Sequence, residues 1–258
     1  MIFWAVDAIG KQTLSICDTI GRFILFFLQT AGTLFTTKLR VRKLFAQMKH
    51  IGVDSFVIIF LTGAFSGAVL ALQSYIGFKR FGAEEFIGPV VALSLVRELG
   101  PVLTGLMVTG RAGSAITAEL GTMQITEQVD ALKTLCINVK QYLIVPRILG
   151  STLILPFLTS FSMIFGIIGG YIISVYVLGL NGEQYISGIR TFVEFSDITG
   201  GLIKSSVFGL ILAWVGCYKG YNTQGGAKGV GLATTGSVVA SSILILISNY
   251  FLAALLFE

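Results

Sequence analysis

Arg97 and Glu98 stand side by side inside a stretch, 88–110, that holds no other charge. From Gly88 to Arg97 is roughly 13 Å of helix, so both charges fall deep inside any membrane this segment crosses. Burying either without a partner costs at least roughly 2.5–3.5 kcal/mol. Consecutive residues on a helix point about 100° apart, so the two do not face each other and each needs its own partner. Pro101 follows closely and has no N–H, which deprives the carbonyl of Arg97 of its helical bond. Gly100 beside it favours a kink at the same place. Kinked, charged backbone at membrane depth belongs beside a polar cavity or inside protein. Two readings follow. Arg97 and Glu98, with Lys204 from another apolar stretch, line a path for a charged substrate, or they form a structural interhelical ion pair with Lys204.

Other chemistries are poorly supplied. His50 is the only histidine, which excludes a His-based catalytic centre and a multi-His metal site. Cys17, Cys136 and Cys217 are far apart, show no metal-ligand spacing and are expected as free thiols. Ser114, in Gly110-Arg111-Ala112-Gly113-Ser114-Ala115, has no base nearby in sequence and reads as a packing serine. Glu84-Glu85 begins a prenyl-protease-like pattern, but position 89 is Pro where that pattern needs Arg. Gly225-Gly226-Ala227-Lys228-Gly229 superficially resembles a phosphate loop, yet no Ser or Thr follows the Lys. No catalytic residue, metal or cofactor is expected, and any ATP chemistry belongs to another chain.

The elements that must hold these residues follow from composition. The 258 residues are 54% hydrophobic and only 12% charged, about half the charged share of a soluble domain. Lipid as solvent removes the difficulty. The 31 glycines suit closely packed spanning helices. The net charge of +5 does not imply nucleic acid, because the basic residues flank apolar segments. The expected fold is all-α and polytopic, with about five spans near 55–78, 88–110, 148–180, 198–218 and 237–257. The third is longer than a span needs, with Pro156 and Gly169-Gly170 as bend points. Residues 1–50 are expected as an N-terminal interfacial amphipathic region and 51–258 as one transmembrane domain. The apolar run 23–37 is short for a span, and the alternative is a sixth span. Segments 1–50, 111–147 and 219–228 hold 7, 4 and 2 of the 18 Lys/Arg, against 3 in the opposite connections. That bias puts the N-terminus in the cytoplasm and the C-terminus outside.

Glu119 is expected to pair with Arg111 or Arg147, and Arg111 to reach toward the interface. Beyond them Ile125, Val129, Leu132 and Cys136 recur on one helical face, so 125–136 reads as an amphipathic helix between two spans. It is either a coupling helix seated on a cytoplasmic motor, with Glu127, Gln128, Asp130 and Leu132 at the contact, or a plain interfacial connector. A secondary transporter or channel without an ATPase is the alternative class. Two related halves and midplane acids would mark it, but no halves are visible and Glu98 is the only clear intramembrane acid.

LVRELGPVLTGLMVTGRAGSAITAELGTM (95–123), followed by TEQVDAL, resembles the signature of the MlaE family. Tyr142-Leu143-Ile144-Val145-Pro146-Arg147 and Lys204-Ser205-Ser206-Val207-Phe208-Gly209 resemble further family segments, and the similarity covers essentially the whole chain. Two departures lie in or beside the coupling element. Met123-Gln124 stands where many members have Met-Arg, and Cys136-Ile137-Asn138-Val139 where many have Gly-Val-Asp-Pro. The resemblance implies the permease subunit of an ABC transporter that moves phospholipid between the bacterial inner membrane and a periplasmic MCE protein, maintaining outer-membrane lipid asymmetry. It also implies a homodimer, a cytoplasmic ABC ATPase subunit, a STAS-domain protein bound to that ATPase and a hexameric MCE protein above.

Overall fold

The computed structural model describes residues 14, 17, 18, 20–33 and 40–257. It is all-α, and among the described residues five helical segments are long and apolar enough to cross a membrane. α1 (residues 20–33) is not one of them. It lies against the bundle through aromatic contacts, Phe23 stacking on Trp214 at 4.2 Å and Phe26 meeting Tyr218 edge-on at 5.5 Å. The rest of the expected run 23–37, from 34 on, lies outside the described residues, as do most of residues 1–19.

α2 (Val41–Gly52) is amphipathic and contains no acidic residue. A single tight turn, Val53–Ser55, joins it to α3 (Phe56–Phe78). The expected boundary at residue 50 therefore falls within a nearly continuous helix, 41–81. Arg111 explains why the chain can bend there. Its guanidinium donates to the carbonyl of His50 at 2.6 Å and to Ser55 Oγ at 2.8 Å, satisfying groups the turn leaves open. Asp54 lies 3.5 Å from the same guanidinium. Arg111 thus holds the end of α2 instead of simply reaching for water.

The second span is longer than expected. α4 (Ile87–Ser94), α5 (Gly100–Val108) and α6 (Ser114–Ile125) form one rod, interrupted by two wide π-type turns at Leu95–Leu99 and Thr109–Gly113. The rod then breaks at Thr126-Glu127, where Glu127 takes a left-handed conformation (φ 58°). Only α7 (Gln128–Thr134) remains of the amphipathic helix expected over 125–136. Cys136 lies beyond its end with φ 55° and is exposed, so it does not continue the Ile125–Val129–Leu132 face.

α8 (Val145–Ile172) runs unbroken through Pro156 and packs on α2, α3 and α10. Gly169 and Gly170 are contact points and not hinges: a Cβ on Gly169 would strike the carbonyl of Ala64, and one on Gly170 would meet the Tyr185 hydroxyl at 2.8 Å. α9 (Gly182–Phe192) is a short amphipathic helix capped by Asn181 and laid on α4. α10 (Phe195–Tyr221) is the most enclosed span, with 56% of its apolar window buried. α11 (Gly226–Phe257) begins eleven residues before the expected start at Ser237, and only 11% of its window is buried. Its outer face, including Leu232, Val239, Ile243 and Phe251, looks away from the bundle.

α3 and α8 are held together by small residues. A Cβ on Gly63 would sit 2.7 Å from the Ser162 carbonyl, and one on Gly67 would overlap the Gly166 carbonyl. The Gly63-x3-Gly67 spacing is thus a close backbone crossing. Gly67→Val is expected to destabilise the protein by about 3 kcal/mol or more, read as a lowered thermal midpoint and yield in detergent. Gly77→Ala, with open space around it, should leave both near wild type.

Candidate functional site

The wide turn Leu95–Leu99 is how the second span accommodates Pro101. The Gly100 N–H reaches back five residues to the carbonyl of Leu95, and α5 restarts with Pro101 in its first turn. Gly100 has to be glycine: a Cβ there would strike that same carbonyl and meet Met163 of α8 at 3.0 Å. Pro101 leaves the Arg97 carbonyl without a helical donor, and Lys204 Nζ donates to it at 3.1 Å. The proline at 101 and the lysine at 204 are two halves of one arrangement.

The same ammonium donates to Glu98 Oε1 at 2.6 Å. Asn249 of α11 donates through Nδ2 to the other carboxylate oxygen at 2.9 Å. Arg97 turns the other way, as the helical offset requires, and places Nε and Nη2 each 2.7 Å from Asp197 Oδ1. Asp197 Oδ2 accepts the N–H of Glu194, closing a capping box at the start of α10. Each charge of the adjacent pair has its own partner, as the helix geometry demands.

Exposure divides the cluster into a floor and a face. The side chains of Lys204 and Asp197 are 0% and 3% exposed, those of Glu98 and Arg97 40% and 41%. Phe257 covers the group from α11, its ring 4.9 Å from Lys204 Nζ and 5.3 Å from Arg97 Cζ. The Oδ1 of Asn249 is buried and has no hydrogen-bond partner. The arrangement presents a guanidinium and a carboxylate outward while holding their counter-charges behind. Both readings of the sequence meet here, since Lys204 does pair with Glu98 and the paired face still stays accessible.

Two members of the cluster escaped the sequence reading. Asp197 lies one residue before the expected fourth span and was left outside the membrane, so Glu98 is not the only acid at this depth. The Glu194-x-x-Asp197 spacing before an apolar run was the available signal. Asn249 was signalled only as an amide in an apolar helix, which is costly to bury alone.

At the other end of the bundle, Arg147 Nη2 meets Glu119 Oε1 at 2.9 Å, one of the two pairings expected. Ser114 donates to the carbonyls of Gly110 and Arg111, which makes it a packing serine. On α7, Val129 is buried and Leu132 packs partly against the core. Leu132 is partly buried, and the fully exposed leucine beside it is Leu135. Glu127, Gln128 and Asp130 are exposed, with Asp130 accepting from Lys133 at 2.8 Å.

Five helices long and apolar enough to cross a membrane, among the described residues, packed around a paired-charge cluster define a polytopic membrane protein. Residues 44–255 match the model of the MlaE permease family, and the chain belongs to that family of ABC transporter permeases. It is 46% identical, over the full length of both chains, to a probable ABC transporter permease of Rickettsia conorii. It is 38% identical to the intermembrane phospholipid transport system permease protein MlaE of Haemophilus influenzae, covering 100% of this chain and 99% of that one. It is also 39% identical to the chloroplast protein TRIGALACTOSYLDIACYLGLYCEROL 1 of Arabidopsis thaliana, over 86% of this chain and 63% of that one.

Removing Glu98 alone should strand the buried ammonium of Lys204 and destabilise the fold by about 3 kcal/mol or more. The double variant Glu98→Leu/Lys204→Met should recover most of that loss. Thermal unfolding of the two single variants and the double variant measures the coupling, and additive losses would show that the pair is not coupled.

Proposed function

We propose that this chain moves phospholipid, as the permease subunit of an ABC transporter that exchanges lipid between the inner membrane and a periplasmic MCE protein. The observation that carries the proposal is the half-exposed face of Arg97 and Glu98, with Lys204 and Asp197 buried behind it. Asp197 takes Nε and Nη2 of Arg97, and the remaining edge of the half-exposed guanidinium suits a phosphodiester oxygen. Glu98, half-exposed on the same face, is an acceptor suited to a headgroup amine. The name of the Haemophilus relative, an intermembrane phospholipid transport permease, supports the same substrate class.

Two copies of the chain enclose the lipid, with the outward apolar face of α11 and the exposed side of α3 offering walls for acyl chains. A cytoplasmic ATPase, itself bound to a STAS-domain protein, docks beneath at Glu127, Gln128, Asp130 and Leu132, with the exposed Leu135 beside them. ATP binding moves α7, and the break at Glu127 lets it move relative to α6. A hexameric MCE protein receives or delivers lipid above, and the system maintains outer-membrane lipid asymmetry. Orientation follows the positive-inside bias, with the N-terminus cytoplasmic and the C-terminus periplasmic.

Arg97→Gln and Glu98→Gln, compared at equal complex abundance, should lower crosslinking to a photoreactive phospholipid by on the order of tenfold. Wild-type labelling in both would remove these residues from the lipid path. Asp130→Arg with Leu135→Asp should abolish co-purification of a P-loop ATPase. A variant that keeps its ATPase, or a wild-type chain that transports lipid alone, would overturn the coupling role of α7 or favour a secondary transporter.

A further inference from the structure

Away from the Arg97 cluster, a polar cavity of about 330 Å³ opens between α2, α6 and α8. Lys43, Gln47, Glu119, Tyr142 and Arg147 line it. It is remote from the charge cluster: Arg147 to Met163, which touches the position of Gly100, is roughly 24 Å along α8. The function proposed above makes no use of this cavity.

Its chemistry is that of an incomplete anion site. The Arg147 side chain is only 4% exposed. Nη1 donates to the carbonyl of Leu143 at 2.7 Å and Nη2 meets Glu119, but Nε is buried with no partner. Glu119 balances one cation, and the cavity has two. Lys43 has no carboxylate partner among the described residues and sits with its ammonium 2.9 Å from the centre of the Tyr142 ring. The Arg40 guanidinium lies over the same ring at 4.8 Å. The cavity therefore holds two cations and one carboxylate, with a phenol and an amide beside them and the Arg40 guanidinium over the phenol ring. A phosphate diester supplies the missing charge and acceptor oxygens.

The source of the phosphate is indicated by α2. That helix carries Lys43, has basic and no acidic residues, and exposes Val41 and Phe45. Such a helix lies at an anionic bilayer surface with its apolar side in the acyl region. We propose that this cavity holds the phosphate of an anionic phospholipid as a resident ligand, which staples α2 to α6 and α8 and is not the transported lipid.

The test uses the full-length protein, delipidated in detergent, with micelles containing either phosphatidylglycerol or phosphatidylcholine. Phosphatidylglycerol should raise the thermal midpoint by several degrees and remain bound in native mass spectra, and phosphatidylcholine should do neither. Lys43→Ala should reduce retention of phosphatidylglycerol about tenfold. Lys43→Arg should restore it, and Arg97→Gln should leave it unchanged. Equal stabilisation by millimolar inorganic phosphate would mean that a free anion fills the cavity, which overturns the lipid assignment. Undiminished phosphatidylglycerol retention in Lys43→Ala would overturn the site. So would a Lys43→Ala variant that loses its ATPase while keeping the lipid, since the cavity would then be a protein contact. Loss of lipid crosslinking at Arg97 bears only on the transport reading, so the two proposals fail separately.

Discussion

A lysine ammonium with no access to solvent must be met on every side, and the ammonium of Lys204 organises much of this bundle. Charge in a low-dielectric interior is tolerated only when it is paired and hydrogen-bonded. Glu98 supplies the charge and the Arg97 carbonyl supplies a second acceptor. That carbonyl is free because Pro101 cannot donate to it, and Pro101 is tolerated because the preceding turn widens. Removing any of these leaves another group stranded. The cluster therefore ties the wide turn Leu95–Leu99 to α10 and α11 by polar contacts, in a setting where apolar burial cannot distinguish a neighbouring helix from lipid.

The remaining order comes from close backbone approach and from two arginines. The glycines at the α3–α8 crossing bring carbonyls and Cα atoms within reach of each other, so dispersion replaces the hydrophobic effect as the cohesive force. Arg111 gathers the carbonyls left open where α2 turns into α3, and Arg147 joins α8 to α6 through Glu119. Both act at span ends, where the backbone would otherwise meet lipid with unsatisfied groups. α3 and α11 turn the most apolar surface outward, although α8 crosses α3 closely and Asn249 ties α11 to Glu98.

Much of this was legible in the residues. The apolar runs marked five spans, and the charges at 97 and 98 demanded separate partners. The lost carbonyl bond at Arg97 followed from Pro101 alone. Other features were not legible. The amphipathic face assigned to 125–136 depended on a continuous helix, and the left-handed Glu127 interrupts it, a choice made by the packing of Val129 and Leu132 on the core. Helix ends also ran past the apolar windows: α6 reaches Ile125 and α11 starts at Gly226.

Local constraint was therefore written in the sequence: which segments avoid water, where a helix cannot bond regularly, and which charges cannot stand alone. These follow from the solvation and geometry of single residues. Only the tertiary structure decided which groups answer each other across the bundle. Asp197 for Arg97, Asn249 for Glu98 and Lys204 for a carbonyl on another span are pairings a hundred or more residues apart. No period or spacing encodes them, because they depend on how the helices cross, and the crossings are set by where small residues let one backbone approach another.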